Sequence, residues 1–218
     1  MKNCVIAISR EYGSGGRDVG RLIAEDLGLP VYDKEIMHMA AQQSGLPATY
    51  VEKKGESIPS KFLLSLKRFS LTVPSARIPS SYNSLSVANK RLDEDHLFYI
   101  QQKVIQDLAS QGGCVIIGRC AGFILRSHPH LLSVFIRGDF DDRVRRTIET
   151  YNQSEKNAAD TVRKIEKHRA NYYKLHANQQ WGIATNYDLV INTSYTGIQG
   201  AAKVIETMVE AKLGNKVN

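Results

Sequence analysis

Apolar residues fall along this chain in two alternating periodicities. Short continuous runs, Val5 to Ile8, Leu29-Pro30-Val31-Tyr32, Cys114 to Ile117, Leu132 to Arg137 and Tyr187 to Asn192, carry β-branched residues and read as strands buried on both faces. Between them the spacing becomes helical. Val19, Leu22, Ile23 and Leu27 repeat on one face before Gly28 closes the helix. Further helices are predicted from Asp33-Lys34-Glu35 to about Ser44, from Arg91 to about Gln111, through Arg143, Arg145 and Arg146, from Glu155 to Leu175 and from Thr196 to Lys212. Five apolar strands, each followed by a helix, predict an α/β fold with a parallel sheet covered on both faces. The polar character of 155–175 sets that helix outside the core. From Val51 to about Asn89 the pattern lapses into Ser- and Pro-rich sequence around Lys61 to Phe69, which reads as a cap.

The first strand runs into Arg10-Glu11-Tyr12-Gly13-Ser14-Gly15-Gly16-Arg17-Asp18 and then into a helix. Gly13, Gly15 and Gly16 can take backbone angles closed to other residues, so successive N–H groups can converge on an anion at the positive helix end. The layout is that of a phosphate-binding loop, with an ordinary turn and N-cap as the alternative. It departs from G-x-x-x-x-G-K-[ST]: with Gly16-Arg17 in the Gly-Lys position, the first glycine falls on Glu11 and the Ser/Thr on Asp18. Asp18 suits the helix start as an N-terminal carboxylate.

In a parallel sheet, ligands sit at the carboxyl ends of the strands. There the sequence places Gly13 to Arg17, Asp33, Arg119 and Arg137. Arginines and a glycine loop suit phosphoryl transfer, which needs oxygens held in line and their charge neutralised. Arg119 has a strand-end salt bridge as its alternative. Arg169 shares its helix with Arg163, Lys164 and Lys167, so a solvated basic face is its rival. Arg143, Arg145 and Arg146 equally suit a helix-face role.

An apolar share of 42% in 218 residues is that of one globular unit with room for a small subdomain. No apolar run approaches the roughly 20 residues of a membrane span, and the N-terminal stretch reads as a strand and not a signal sequence. Cys4, Cys114 and Cys120 form no C-x-x-C and suit a reducing cytoplasm, and the six histidines are scattered without metal-ligand spacing. A net charge of +7 suits an anionic partner. Nucleotides suffice to account for it. The basic residues are dispersed and lack an aromatic-interleaved stripe, which argues against nucleic acid.

The sequences Ile8 to Arg17, Val31-Tyr32-Asp33-Lys34-Glu35-Ile36, Val115 to Ala121, and Arg169-Ala170-Asn171-Tyr172-Tyr173 with Trp181-Gly182 together resemble the P-loop nucleoside monophosphate kinases, most closely the cytidylate-kinase-like family. The likeness spans nearly the full length apart from 51–89. It implies a three-layer P-loop NTPase fold in one domain, with 45–90 as an NMP-binding insertion and 152–184 as a helical lid. It further implies transfer of the ATP γ-phosphoryl group, with Mg²⁺, to CMP, dCMP or a similar small acceptor bearing phosphate. On this resemblance Gly13, Ser14, Gly15, Gly16, Arg17 and Asp18 bind the ATP phosphates and Asp33 and Arg119 the acceptor. Arg17, Arg119 and Arg169 act in catalysis, and Arg163, Arg169 and Tyr173 belong to the lid. Asp33 would meet the magnesium through water.

The chain also departs from the family pattern. Arginine replaces the loop lysine at Arg17, and its planar fork reaches phosphate differently from a point charge. Ile117 and Cys120 stand where acids are expected, the first lid arginine falls on Val162, and the lid aspartate falls on Glu166. Two further readings follow: a nucleotide-binding sensor that has lost turnover, and a kinase for a different small substrate.

Overall fold

The computed structural model describes residues 3–44 and 87–214. The element order is β1 (Val5–Arg10), α1 (Gly16–Leu27), β2 (Val31–Tyr32), α2 (Glu35–Ser44), α3 (Val87–Ser110), β3 (Cys114–Ile117), α4 (Ala121–Ile124), β4 (Leu131–Arg137), α5 (Phe140–Tyr151), α6 (Glu155–Ala177), β5 (Leu189–Asn192) and α7 (Thr193–Gly214). The cap expected over 51–89 lies outside the described residues except for its last three, which belong to α3.

All five strands are parallel, in the order β2-β3-β1-β4-β5. Val5 sits beside Cys114 on one side and Leu131 on the other. Because side chains alternate across a strand, β1 feeds two cores. Val5 and Ala7 join Cys114 and Ile116 under α2, α3, α4 and the end of α6. Ile6 and Ile8 join Val115 and Ile117 under α1 and α7, where Val19, Ile23, Ala201 and Ile205 face them. This is the three-layer arrangement expected from continuous apolar strands. The chain leaves β1 toward β2 on one side and later reaches β4 on the other, so a crevice opens at the carboxyl end of β1.

Three boundaries differ from the sequence expectation. α3 begins at Val87, ahead of Arg91. The last strand starts at Leu189 because Asp188 turns out of it: its carboxylate accepts the Ser133 N–H at 2.8 Å while its own N–H donates to Ser133 O at 2.8 Å. The final helix begins at Thr193 and is broken at Gly197, whose φ of 67° is left-handed. The helix expected to be too polar for the core also has a buried stripe, Ala158, Val162, Ile165, Tyr173 and Ala177. Its mean polarity hides one narrow apolar face.

Candidate functional site

The loop between β1 and α1 is shaped by contacts that only glycine permits. Gly13 and Gly15 have φ of 79° and 75°. A Cβ on Gly13 would stand 2.4 Å from the Arg143 carbonyl oxygen, and one on Gly16 would stand 2.6 Å from Cβ of Arg10. Ser14 is fully buried; its hydroxyl donates back to Glu11 O at 2.9 Å, and its carbonyl lies 2.7 Å from Thr193 Oγ1. The loop carbonyls are thus engaged from behind. The amides of the first turn of α1 have no carbonyl ahead of them in the helix, and Gly15 at the N-cap carries no side chain to cover them. Such a turn has the geometry that holds anions at helix N-termini, and Asp18 lies in it.

α5 supports this loop. Arg143 is buried; its Nε donates to Gly138 O at 2.8 Å and stands 3.3 Å from Glu11 Oε2, and Nη1 donates to Tyr12 O at 3.4 Å. Nη1 also pairs with Glu166 of α6. Glu11 accepts the Gly138 N–H at 2.9 Å, which ties the ends of β1 and β4 together. Arg146 Nη1 donates to Gly13 O at 3.1 Å. Arg145 points outward to Asp142. Of three arginines that read alike in sequence, two therefore hold the loop. Burial, with Glu11 nearby, raises the Glu166 carboxyl above the ordinary glutamate range against the pull of Arg143.

The crevice beside the loop gathers further cations. Asp33, at the end of β2, forms an ion pair with Arg17, whose Nε stands 2.6 Å from its carboxylate, and lies 4.0 Å from Arg10 Nη2. Arg10 is 7% exposed, and a Cβ on Gly118 would stand 2.1 Å from its Nη1, so glycine there admits the guanidinium. Arg119 follows, with Nη1 buried and without a hydrogen-bond partner. Arg169 of α6 donates from Nη1 to Arg10 O at 2.8 Å and lies 5.6 Å from the centre of the Tyr12 ring. Arg10, Arg119 and Arg169 line one small cavity with Tyr172, Tyr173 and Trp181. Burial raises the Tyr173 and Tyr187 hydroxyls above the ordinary range and keeps them neutral.

The structure thus brings together Gly13 to Arg17, Asp33, Arg119, Arg169 and Tyr173. Arg163 is 62% exposed, pairs with Asp160 at 3.3 Å and lies over the Phe140 ring; Arg137 is half exposed beside Asp139. Neither reaches the crevice. Ile117 is core, and Cys120 borders the cavity. Sequence reasoning gave Arg10 and Gln101 no role and read Arg143 as equally suited to a helix face. Arg10 ends an apolar strand next to a loop of glycines, which is a usable signal. Arg143 and Gln101 become visible only through burial. Among the described residues no group of three His, Cys, Asp or Glu is placed to hold a metal ion.

A parallel sheet in this order, with a glycine-rich loop between β1 and α1 and arginines around it, defines a P-loop-type kinase fold. The chain belongs to the cytidylate kinase-like family, whose sequence profile matches residues 5–195. An uncharacterized protein from Eubacterium ventriosum ATCC 27560 is similar at 27% identity and a TM-score of 0.69, over 96% of this chain and 99% of that one. Shikimate kinase from Bacteroides thetaiotaomicron shares the fold at 12% identity and a TM-score of 0.50, over 95% of this chain and 98% of its own. A gluconokinase from Sinorhizobium meliloti 1021 does so at 13% and 0.50, over 98% and 97%. No curated protein sequence matches significantly. Family and fold together support a small-molecule kinase. No described helix is long and apolar enough to cross a membrane.

Proposed function

We propose that this protein transfers the γ-phosphoryl group of ATP to a nucleoside monophosphate, with CMP or dCMP as the first candidates. The observation that carries this reading is the Arg119 Nη1, buried without a hydrogen-bond partner in a small cavity shared with Arg10 and Arg169, Arg10 in turn adjoining Asp33 and Arg17 at the glycine loop. A buried N–H of a guanidinium left without a partner is costly, and an acceptor phosphate would satisfy it. ATP would place its β and γ phosphates on the amides of Gly13 to Asp18. Arg17 would move from Asp33 toward the triphosphate, and Arg169 would neutralise charge on the phosphoryl group as the acceptor oxygen attacks and ADP leaves.

The donor set suits a magnesium ion carried in on the nucleotide. Asp33 is the carboxylate at the mouth of the crevice, and Mg²⁺ keeps most of its waters, so one carboxylate facing that water shell is enough. When bound, the ion neutralises charge on the β and γ oxygens. Asp33 would be free to face it once Arg17 turns to phosphate.

ADP release measured with CMP, dCMP, UMP and AMP checks the reading. A rate with CMP or dCMP at least tenfold above the ATP-only rate is expected. Equal background rates with every monophosphate, while ATP still binds, would favour the sensor, for which Ile117 and Cys120 at positions where the family pattern expects acids are the motivating observation.

A further inference from the structure

Gln101 on α3 is 1% exposed and uses both ends of its amide. Its Nε2 donates to the Arg119 carbonyl at 3.2 Å, and its Oε1 accepts the Tyr172 hydroxyl of α6 at 3.2 Å. One turn earlier on α3, Phe98 stacks on His176 with centroids 3.9 Å apart and planes at 8°, and Tyr172 meets the same imidazole at 4.5 Å. The amide therefore lies at the inner end of an aromatic seam that joins α3 to α6.

The backbone it holds is unusual. Gly118, Arg119 and Cys120 are left-handed in succession, with φ of 80°, 57° and 56°. For the two residues that carry a Cβ this conformation is disfavoured, and it persists only where surroundings over-determine it. Ala121 N–H closes the turn on Gly118 O at 3.0 Å, and Gly118 N–H fastens its start to Ile8 O at 2.8 Å. The Gln101 amide supplies the constraint on Arg119 itself. Without it the Arg119 peptide could rotate toward extended angles and withdraw the guanidinium from the cavity.

We infer that Gln101 is a positioning residue for the acceptor side of the reaction: through the Arg119 carbonyl it sets where the Arg119 guanidinium stands, and Tyr172 references that position to α6. This deepens the kinase reading and rests on it for the identity of the acceptor. Gln101 faces a backbone carbonyl and a tyrosine and so acts through Arg119. The loop for ATP is fastened separately, by Arg143, Arg146 and Thr193. The acceptor constant should therefore respond alone.

Two variants separate this role from a merely structural one. Gln101→Met removes both hydrogen bonds, and Gln101→Glu keeps volume and the bond from Tyr172 but loses the amide donor to the Arg119 carbonyl; a near-ultraviolet circular dichroism spectrum matching the wild type's establishes that each variant assayed is folded. With CMP as acceptor, KM for CMP should rise about tenfold in either variant, with KM for ATP within twofold of the wild type, the rise corresponding to about 1.4 kcal/mol. Unchanged CMP KM, or parallel rises in both constants, overturns the inference. If the wild type transfers to no monophosphate, the kinase reading fails, and inorganic phosphate titrated against each protein at saturating ADP decides the matter independently. There, Arg119→Ala should abolish phosphate binding in the crevice and Gln101→Met weaken it about tenfold. Wild-type affinity in Gln101→Met overturns the proposal.

Discussion

Arg143 on α5 pairs through Nη1 with Glu166 on α6 and the Tyr12 carbonyl and through Nε with Glu11, so one buried guanidinium fastens the glycine loop to α6. Two carboxylates share this cation. Removing it strands both. Breaking a buried pair from one side costs about 3–5 kcal/mol. Arg143→Ala should lose stability of that order in urea unfolding, and Arg143→Lys should recover little, since an ammonium cannot span Gly138 O, Tyr12 O and Glu166 together. A loss below about 1 kcal/mol would show that the network does not hold the loop.

The same cluster sets a pH dependence. The native Glu166 carboxyl is raised above its ordinary value of 4.5. The folded state therefore binds that proton more tightly than the unfolded chain, and its contribution is fully present below 4.5 and lost as pH rises through the native value. Glu166→Gln should flatten this slope in a series of melts from pH 4 upward. An identical slope in the variant would assign it to other groups.

Gly13→Ala combines a left-handed φ with a methyl placed 2.4 Å from a backbone oxygen that cannot swing aside. The loop must open. ATP affinity should fall at least tenfold by calorimetry, and thermal stability should drop as well. Retained ATP affinity would mean that the loop accommodates the methyl and is not the nucleotide site.

Arg17→Ala should behave differently. Arg17 is 31% exposed and meets Asp33 at the surface of the crevice, so its loss leaves the core intact. A charge-assisted contact to phosphate is worth about 1.5–3 kcal/mol, which predicts a loss of roughly tenfold or more in ATP affinity with little change in melting temperature. Equal affinity in variant and wild type would remove Arg17 from the phosphate site.

Burial raises the Cys114 thiol to about 11 and also raises Cys4, so neither is thiolate near pH 8. Alkylation of both should be slow in the native protein and fast in denaturant. Rapid native labelling at Cys114 would show that β3 opens readily.

Much of this protein is legible without coordinates. Continuous apolar strands alternating with helices fix a covered parallel sheet, because such strands can be buried only when both faces are packed. Gly13, Gly15 and Gly16 between a strand and a helix mark a glycine-dependent loop, because only glycine tolerates those angles and approaches. Chain order places Asp33 and Arg119 at the carboxyl ends of their strands. The boundaries of α3 and β5 and the buried stripe of α6 were less clear. There, long-range contacts such as Asp188 to Ser133 override local propensity.

The roles of like residues were decided only by tertiary structure. Arg143, Arg145 and Arg146 occupy four consecutive positions' span of one helix, yet one is buried under the loop, one faces solvent and one touches Gly13. Arg163 and Arg169 lie on one basic helix, and only the second turns into the crevice. A helix advances about 100° per residue, so spacing gives relative direction, while packing against the sheet sets which direction is inward. Gln101 shows the limit most plainly: a glutamine in a polar-apolar helix has no signature in sequence, and only the juxtaposition of α3, α6 and the turn after β3 gives its amide a carbonyl to hold.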